Sequence, residues 1–299
     1  MKKLPALILF FAASVLLPGQ APFPTGNEIK QFIASRTCVV LEDANPVYNT
    51  YITRAVEEYW KITPFEFIKT SDFDTRRSDP SYSFIILTET NFENDKSNSV
   101  FNFLNLLQGK DVDELGQMPE ICAIPLSFAG EDDMEYGYKL GVILAFMQKH
   151  ADMINENPSL TGRRYLRYYN KNIPEVMGRS ILVKQEDLAP AIGTIEKIRA
   201  VYRHRIEIVP EEVILKAIQN KTPNTLILHK VGPVGERYSG YCFKMLIGTD
   251  DHNMYYYNQH TIDKTNPIGL LPAFLKRLDR FCLCNYINGK TSLVKTGMS

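Results

Sequence analysis

The sequence predicts an α/β fold, an α+β arrangement on mixed sheets, in which a unit of order β-α-β-(α)-β-β-β-α occurs twice behind a leader. Three observations carry this. Residues 1–21 have the layout of a secretory signal. Apolar runs of strand length alternate with segments of 3.6-residue periodicity. The same order of elements recurs after Thr37 and again after Arg179.

The leader comes first. Lys2 and Lys3 precede an apolar run from Leu4 to Leu17, and Pro18-Gly19-Gln20-Ala21 places small residues where a signal peptidase reads them, so cleavage is expected after Ala21. A spanning helix needs roughly twenty apolar residues, more than this run supplies. The expected product is an exported periplasmic protein, or a secreted one, with no membrane span after leader cleavage. Residues 22–36 read as a lead-in.

The first α/β domain is expected over 37–154. Cys38-Val39-Val40-Leu41 is its opening strand and runs into Glu42-Asp43. Tyr48, Ile52, Ala55 and Tyr59 then share one helical face. Phe65–Ile68 and Phe84–Leu87 read as strands, with a short helix over Ser71–Arg77 between them. Val100–Leu107 and Ile121–Leu126 follow as further strands. Leu140, Ile143, Leu144, Met147 and Ala151 form the stripe of a closing helix opened by Glu131-Asp132-Asp133.

A second domain over 180–288 repeats the order. Ile181-Leu182-Val183 leads into Glu186-Asp187, and Ala191, Ile195, Ile198 and Tyr202 repeat the helical spacing of the first half. Ile206–Val209 is a strand, and Pro210 to Ile218 is a short helix with proline in its first turn. Leu226–Leu228, Tyr241–Ile247 and Met254–Tyr257 are strands. Leu271, Phe274, Leu275, Leu278 and Cys282 line the last helix, and 289–299 is a tail.

The connector, 155–179, is bracketed by Pro158, Gly162, Pro174 and Gly178. If its middle is α-helical, Arg163, Arg164, Arg167 and Lys171 share a face with Tyr168 beside them, a candidate surface for an anionic ligand. The alternative is a linker whose tyrosines pack on a domain.

Composition narrows function by exclusion. Lys plus Arg and Asp plus Glu both number 34, so no basic excess points to nucleic acid. Of five cysteines, Cys38, Cys122 and Cys242 lie in apolar runs as small buried hydrophobes, and Cys282-Leu-Cys284 lacks zinc-site spacing. No nucleotide-binding, metalloprotease or nucleophile-elbow motif occurs, so no cofactor and no metal is expected. The one catalytic candidate is Asp250, Asp251 and His252 in a turn, where Asp, Gly and Asn also serve plain turn chemistry. The acidic pairs after each first strand could line a ligand crevice at a strand's carboxyl end. As helix caps, Asp43 or Asn45 and Asp187 would serve without any ligand.

The element order resembles the anticodon-binding-like α/β domain of bacterial envelope proteins, such as the amino-terminal domain of TolB, curli-secretion lipoproteins and penicillin-binding-protein activators. Tyr241–Thr249 looks like the long hairpin strand of that group. Asn45-Pro46 and Trp60 are similar to the domain opening of uncharacterised exported proteins of the Bacteroidetes. The resemblance implies a non-enzymatic periplasmic protein with an envelope protein partner in assembly or secretion. A bilobed solute-binding protein is the alternative, and an exported hydrolase the third reading.

Overall fold

A computed structural model describes residues 22–92, 95, 97–162, 165–233 and 239–280. The leader, Arg163, Arg164, Cys282 and Cys284 lie outside the described residues.

The chain is mixed α/β, with two five-stranded sheets. Residues 22–36, expected as a lead-in, contain a helix, α1 (Gly26–Ala34), that starts the fold. Its signal is a capping box: the Thr25 side chain accepts from the Glu28 amide, and the Glu28 carboxylate accepts from the Thr25 amide. The first half continues with β1 (Arg36–Leu41), α2 (Pro46–Tyr59), β2 (Phe65–Lys69) and α3 (Thr70–Arg76). Then come β3 (Tyr82–Asn91), β4 (Val100–Gln108), β5 (Glu120–Phe128), α4 (Met134–Gly137) and α5 (Leu140–Glu156). The second half carries β6 (Ser180–Val183), α6 (Ile195–Arg199), β7 (Ile206–Ile208), α7 (Glu211–Gln219), β8 (Thr225–Val231), β9 (Tyr241–Gly248), β10 (Met254–Thr261) and a helix over 272–280, α8.

Both sheets have one topology. Strand order is β2-β1-β3-β4-β5 in the first and β7-β6-β8-β9-β10 in the second. In each, the opening strand pairs in parallel with its two neighbours, and the two hairpin pairings that follow are antiparallel. The expected unit order β-α-β-α-β-β-β-α is seen in both halves.

Two elements differ from the periodicity that suggested them. The helix expected from Ala191 to Tyr202 shortens to α6, because Pro190–Ile192 forms a 3-10 turn and Thr194 caps a new start by accepting from Lys197. Ile192, Ile198 and Tyr202 are still buried, so the apolar spacing survives the break. The first two turns of the closing helix α5, Leu140 to Met147, are buried all round rather than along one stripe, and only further on do Lys149, Asp152 and Glu156 form an exposed face. Val142, Ala145, Phe146, His150 and Ile154 join the five expected residues. A helix apolar on every side has a neighbour on every side.

That second neighbour is the other half. One hydrophobic core runs from Val39, Leu104 and Ile124 of the first sheet through Ile143 and Phe146 of α5 to Ile227, Phe243 and Met245 of the second. Phe92, Phe101, Phe103, Tyr241 and Phe243 form an edge-to-face cluster across the same boundary, with Phe101 and Phe243 centroids 5.3 Å apart. The outer faces hold smaller cores, one under α3 and one under α6 and α8.

Candidate functional site

Three places carry the polar chemistry that the sequence singled out. The first is the turn between β9 and β10. The Arg179 guanidinium donates to Asp250 Oδ1 and to Asp251 Oδ2, both at 2.9 Å, and stacks 4.4 Å above the Tyr255 ring. Asp250 Oδ2 also accepts from the Asn224 amide at 3.0 Å, and Asp251 Oδ1 from the Asn253 amide at 3.0 Å. The Tyr255 hydroxyl donates to Asp251 as well. Burial pushes the Asp250 carboxyl up, but the Asn224 amide and Arg179 outweigh it and hold the group below its ordinary range.

His252 adopts a left-handed conformation, φ 55°, and its ring meets Tyr59 of α2 edge-on at 5.6 Å. Burial, then Lys221 and Lys149, depress its pKa, so the imidazole is neutral. It shares no hydrogen bond with Asp250 or Asp251 among the described residues. The turn thus fastens the second sheet to the first half, while its carboxylates are engaged by Arg179.

The second place is the connector. Tyr165–Gly178 is a succession of 3-10 turns, in which residues three apart eclipse. Arg167 and Lys171, four apart, therefore fall on different faces. Lys171 instead lies 3.9 Å over the ring of Tyr168, three residues before it. On the inner side Leu166, Tyr169, Ile173 and Val176 are buried. The connector's polar groups act on backbone. The Tyr165 hydroxyl accepts from the Ala123 amide and donates to the Ala123 carbonyl on β5. The Asn170 amide group bonds both the N–H and the C=O of Tyr257 on β10, at 2.7 and 3.0 Å, and Asn172 donates to Met254 C=O at 2.8 Å.

The third place is the carboxyl end of β6, where open α/β sheets commonly bind ligands. The two acidic pairs behave differently here. In the first half Asn45 caps α2, accepting from the Tyr48 amide at 2.9 Å. In the second, Asp187 caps no helix and is buried, 3.3 Å from Lys230 Nζ. Beside it the buried Lys184 ammonium contacts Glu135 of α4 at 2.6 Å, Glu186 at 3.0 Å and Glu211 at 3.3 Å. Burial opposes its charge, but Glu135 and Glu186 together raise its pKa.

His229 Nε2 donates to the Pro125 carbonyl of β5 at 3.0 Å, and burial holds this imidazole neutral, with a pKa near 3. Lys139, before α5, is pulled below the ordinary lysine range by burial. Two of these contacts, Lys184 to Glu135 and His229 to Pro125, bridge the halves. At the carboxyl end of β6 the ion network thus ties the second sheet to α4, and His229 ties β8 to β5. Besides Glu186-Asp187, the sequence signal for this network is His229-Lys230, two polar residues late in an otherwise apolar strand.

No family model, curated protein or solved structure matches this chain. Among the described residues no group of three or more His, Cys, Asp or Glu side chains is arranged to hold a metal ion. No described helix is long and apolar enough to cross a membrane.

The four sheet edges divide into two kinds. The connector seals β5 with Tyr165 and β10 with Asn170 and Asn172. Edge strands β2 and β7 have one paired neighbour each, and the outward N–H and C=O groups of Phe65, Phe67, Ile206 and Ile208 have no hydrogen-bond partner among the described residues. Beside β7 lies an open groove of about 590 Å³, lined by Gln185, Ile195, Glu196, Arg199, Ile206 and Ile208 among others.

Proposed function

We propose that this chain is an exported, non-enzymatic protein of the bacterial envelope that works by protein–protein contact in assembly or secretion, its open sheet edges forming the contact surface. The carrying observation is the unequal treatment of the edges: connector side chains bond the backbone of β5 at Ala123 and of β10 at Met254 and Tyr257, and no side chain among the described residues does so on β2 or β7. An open edge is a template for an added strand, and folds usually blunt it unless it is used. On β2 the half-buried Phe65 and Phe67 flank the open backbone, centroids 5.7 Å apart, and leave apolar surface beside it. Export rests on the layout of residues 1–21, and the envelope role on the resemblance of the element order. The continuous core supports this reading over a hinged solute-binding pair, whose closure needs lobes that separate.

The test is site-specific photocrosslinking in intact cells, with the probe at Phe67, at Ile208 and, as a control, at the exposed Glu57 of α2. A defined adduct from an edge position that is missing at Glu57 is expected, with the mature protein in the periplasmic fraction. Recovery of free monomer alone from all three positions, or retention in the cytoplasm with the leader intact, would overturn the reading.

A further inference from the structure

The β7 edge is self-complementary. Ile181 N–H donates to Arg205 C=O at 3.1 Å, and Val209 N–H donates to Val183 C=O at 2.9 Å. With Ile181 opposite Ile206 and Val183 opposite Ile208, these bonds turn the backbones of 205, 207 and 209 toward β6. The N–H and C=O of Ile206 and Ile208 therefore face outward. Side chains alternate across the strand: Ile206 and Ile208 turn toward the groove against α6, and Arg205 and Glu207 take the other face. Both side chains reach solvent, 81% and 53% exposed; within the chain they pair loosely at 3.9 Å, and Glu207 Oε1 also accepts from the Ser180 hydroxyl at 3.0 Å.

An antiparallel strand laid on this edge with Ile206 opposite the partner's Ile206 sets Arg205 against the partner's Glu207, and two-fold symmetry repeats the pair. These are non-hydrogen-bonded positions, where facing side chains come closest and opposite charges stabilise the pairing. Shifting the centre to residue 207 would oppose two glutamates. The β2 edge has no such match, since a pairing centred on Phe67 sets Glu66 against Ile68. We propose that two copies of this chain join through β7 into one continuous ten-stranded sheet, an isologous contact that closes at the dimer.

This rests on the reading of open edges as working surfaces, but its test is separate. Sedimentation velocity of the mature protein over a wide concentration range is expected to show reversible dimers. Arg205→Glu and Glu207→Arg should each weaken association by about tenfold or more, with unchanged circular dichroism. Mixed one to one, the two variants should dimerise again, because each then meets its opposite charge. A wild type that stays monomeric, variants that associate as well as wild type, or a mixture that stays monomeric would each overturn the proposal. A monomer that still crosslinks an envelope partner removes the dimer and leaves the preceding reading intact. A dimer without any envelope adduct does the reverse.

Discussion

Lys244 is the residue that the fold accommodates least comfortably. It is fully buried in β9, with Lys230 directly opposite on β8. Its ammonium donates to His260 Nδ1, and His260 Nε2 donates to Pro267 C=O at 3.0 Å, so the charge is held by a neutral imidazole. Burial pulls the Lys244 pKa to about 8. A buried charge with no ionic partner is held at a cost in desolvation. Lys244→Met is therefore expected to raise the melting temperature by several degrees, and calorimetry that shows a decrease would contradict this account. A second expectation concerns acid. Burial depresses His150 to about 4, His229 to about 3 and His260 to about 4, from an ordinary 6.5. Their folded forms are neutral, so below pH 6.5 the unfolded chain binds more protons than the native one. Stability is present in full above 6.5 and is lost as pH falls toward 4. Each of the fully buried His150 and His229 should contribute a loss of about 2–3 kcal/mol between pH 7.5 and 4.5, while Glu120, raised by burial to about 7, works in the opposite direction. Denaturant titrations of His229→Gln should show a smaller loss over this range than wild type, and an equal loss would refute the account. Lys244 was legible in the sequence as a lone charge inside Tyr241–Gly248; its imidazole partner, sixteen residues away, was not, because that pairing depends on register.

At the scale of elements, local signals did well and distant ones did not. Strands β1, β3, β6 and β8 stand out as short apolar runs, and α2 by its four-three-four spacing, because strand and helix periods act within a few residues. The capping box of α1, Thr25 with Glu28, is a signal of the same local kind. The sealing of β5 and β10 was hidden, since Tyr165 reaches Ala123 across 42 positions and Asn170 reaches Tyr257 across 87. In the connector the outcome turns on helical pitch: Arg167 and Lys171 share a face only at α-helical pitch, and Tyr165–Gly178 takes the tighter 3-10 turns, with Pro174 inside and Tyr169 buried. The asparagine seal yields its own expectation. Asn170→Ala leaves the Tyr257 amide and carbonyl without a partner, at a cost of about 1–3 kcal/mol. Hydrogen exchange at β10 should accelerate while β3 and β4 keep their protection. Unchanged exchange along β10 would show that the edge is not held by this side chain.

On the scale of the whole molecule, the two halves have separate sheets but a common interior. The sequence order suggested two domains joined by a linker, and nothing in the spacing distinguishes a helix covered on one side from one covered on both until the facing strands are known. With α5 between the sheets, with Lys184 on Glu135 and with His229 on Pro125, neither half can open without breaking the other's contacts. Unfolding followed by tyrosine fluorescence and by far-ultraviolet dichroism should give one coincident transition. Two separated transitions would mean that the core is not shared energetically. Residues 180–280 expressed alone should stay unfolded or aggregate.

The burial of α5 also sets an order in time. A chain that emerges amino-terminus first completes its first sheet and this helix while the strands that cover the helix's far side are still unmade. During that interval Val142, Ala145 and Phe146 face water or a chaperone. The cover for this helix arrives only with β9, which begins 101 residues after α5 does, and a stalled or truncated chain presents a sticky helix as the mark of its incompleteness.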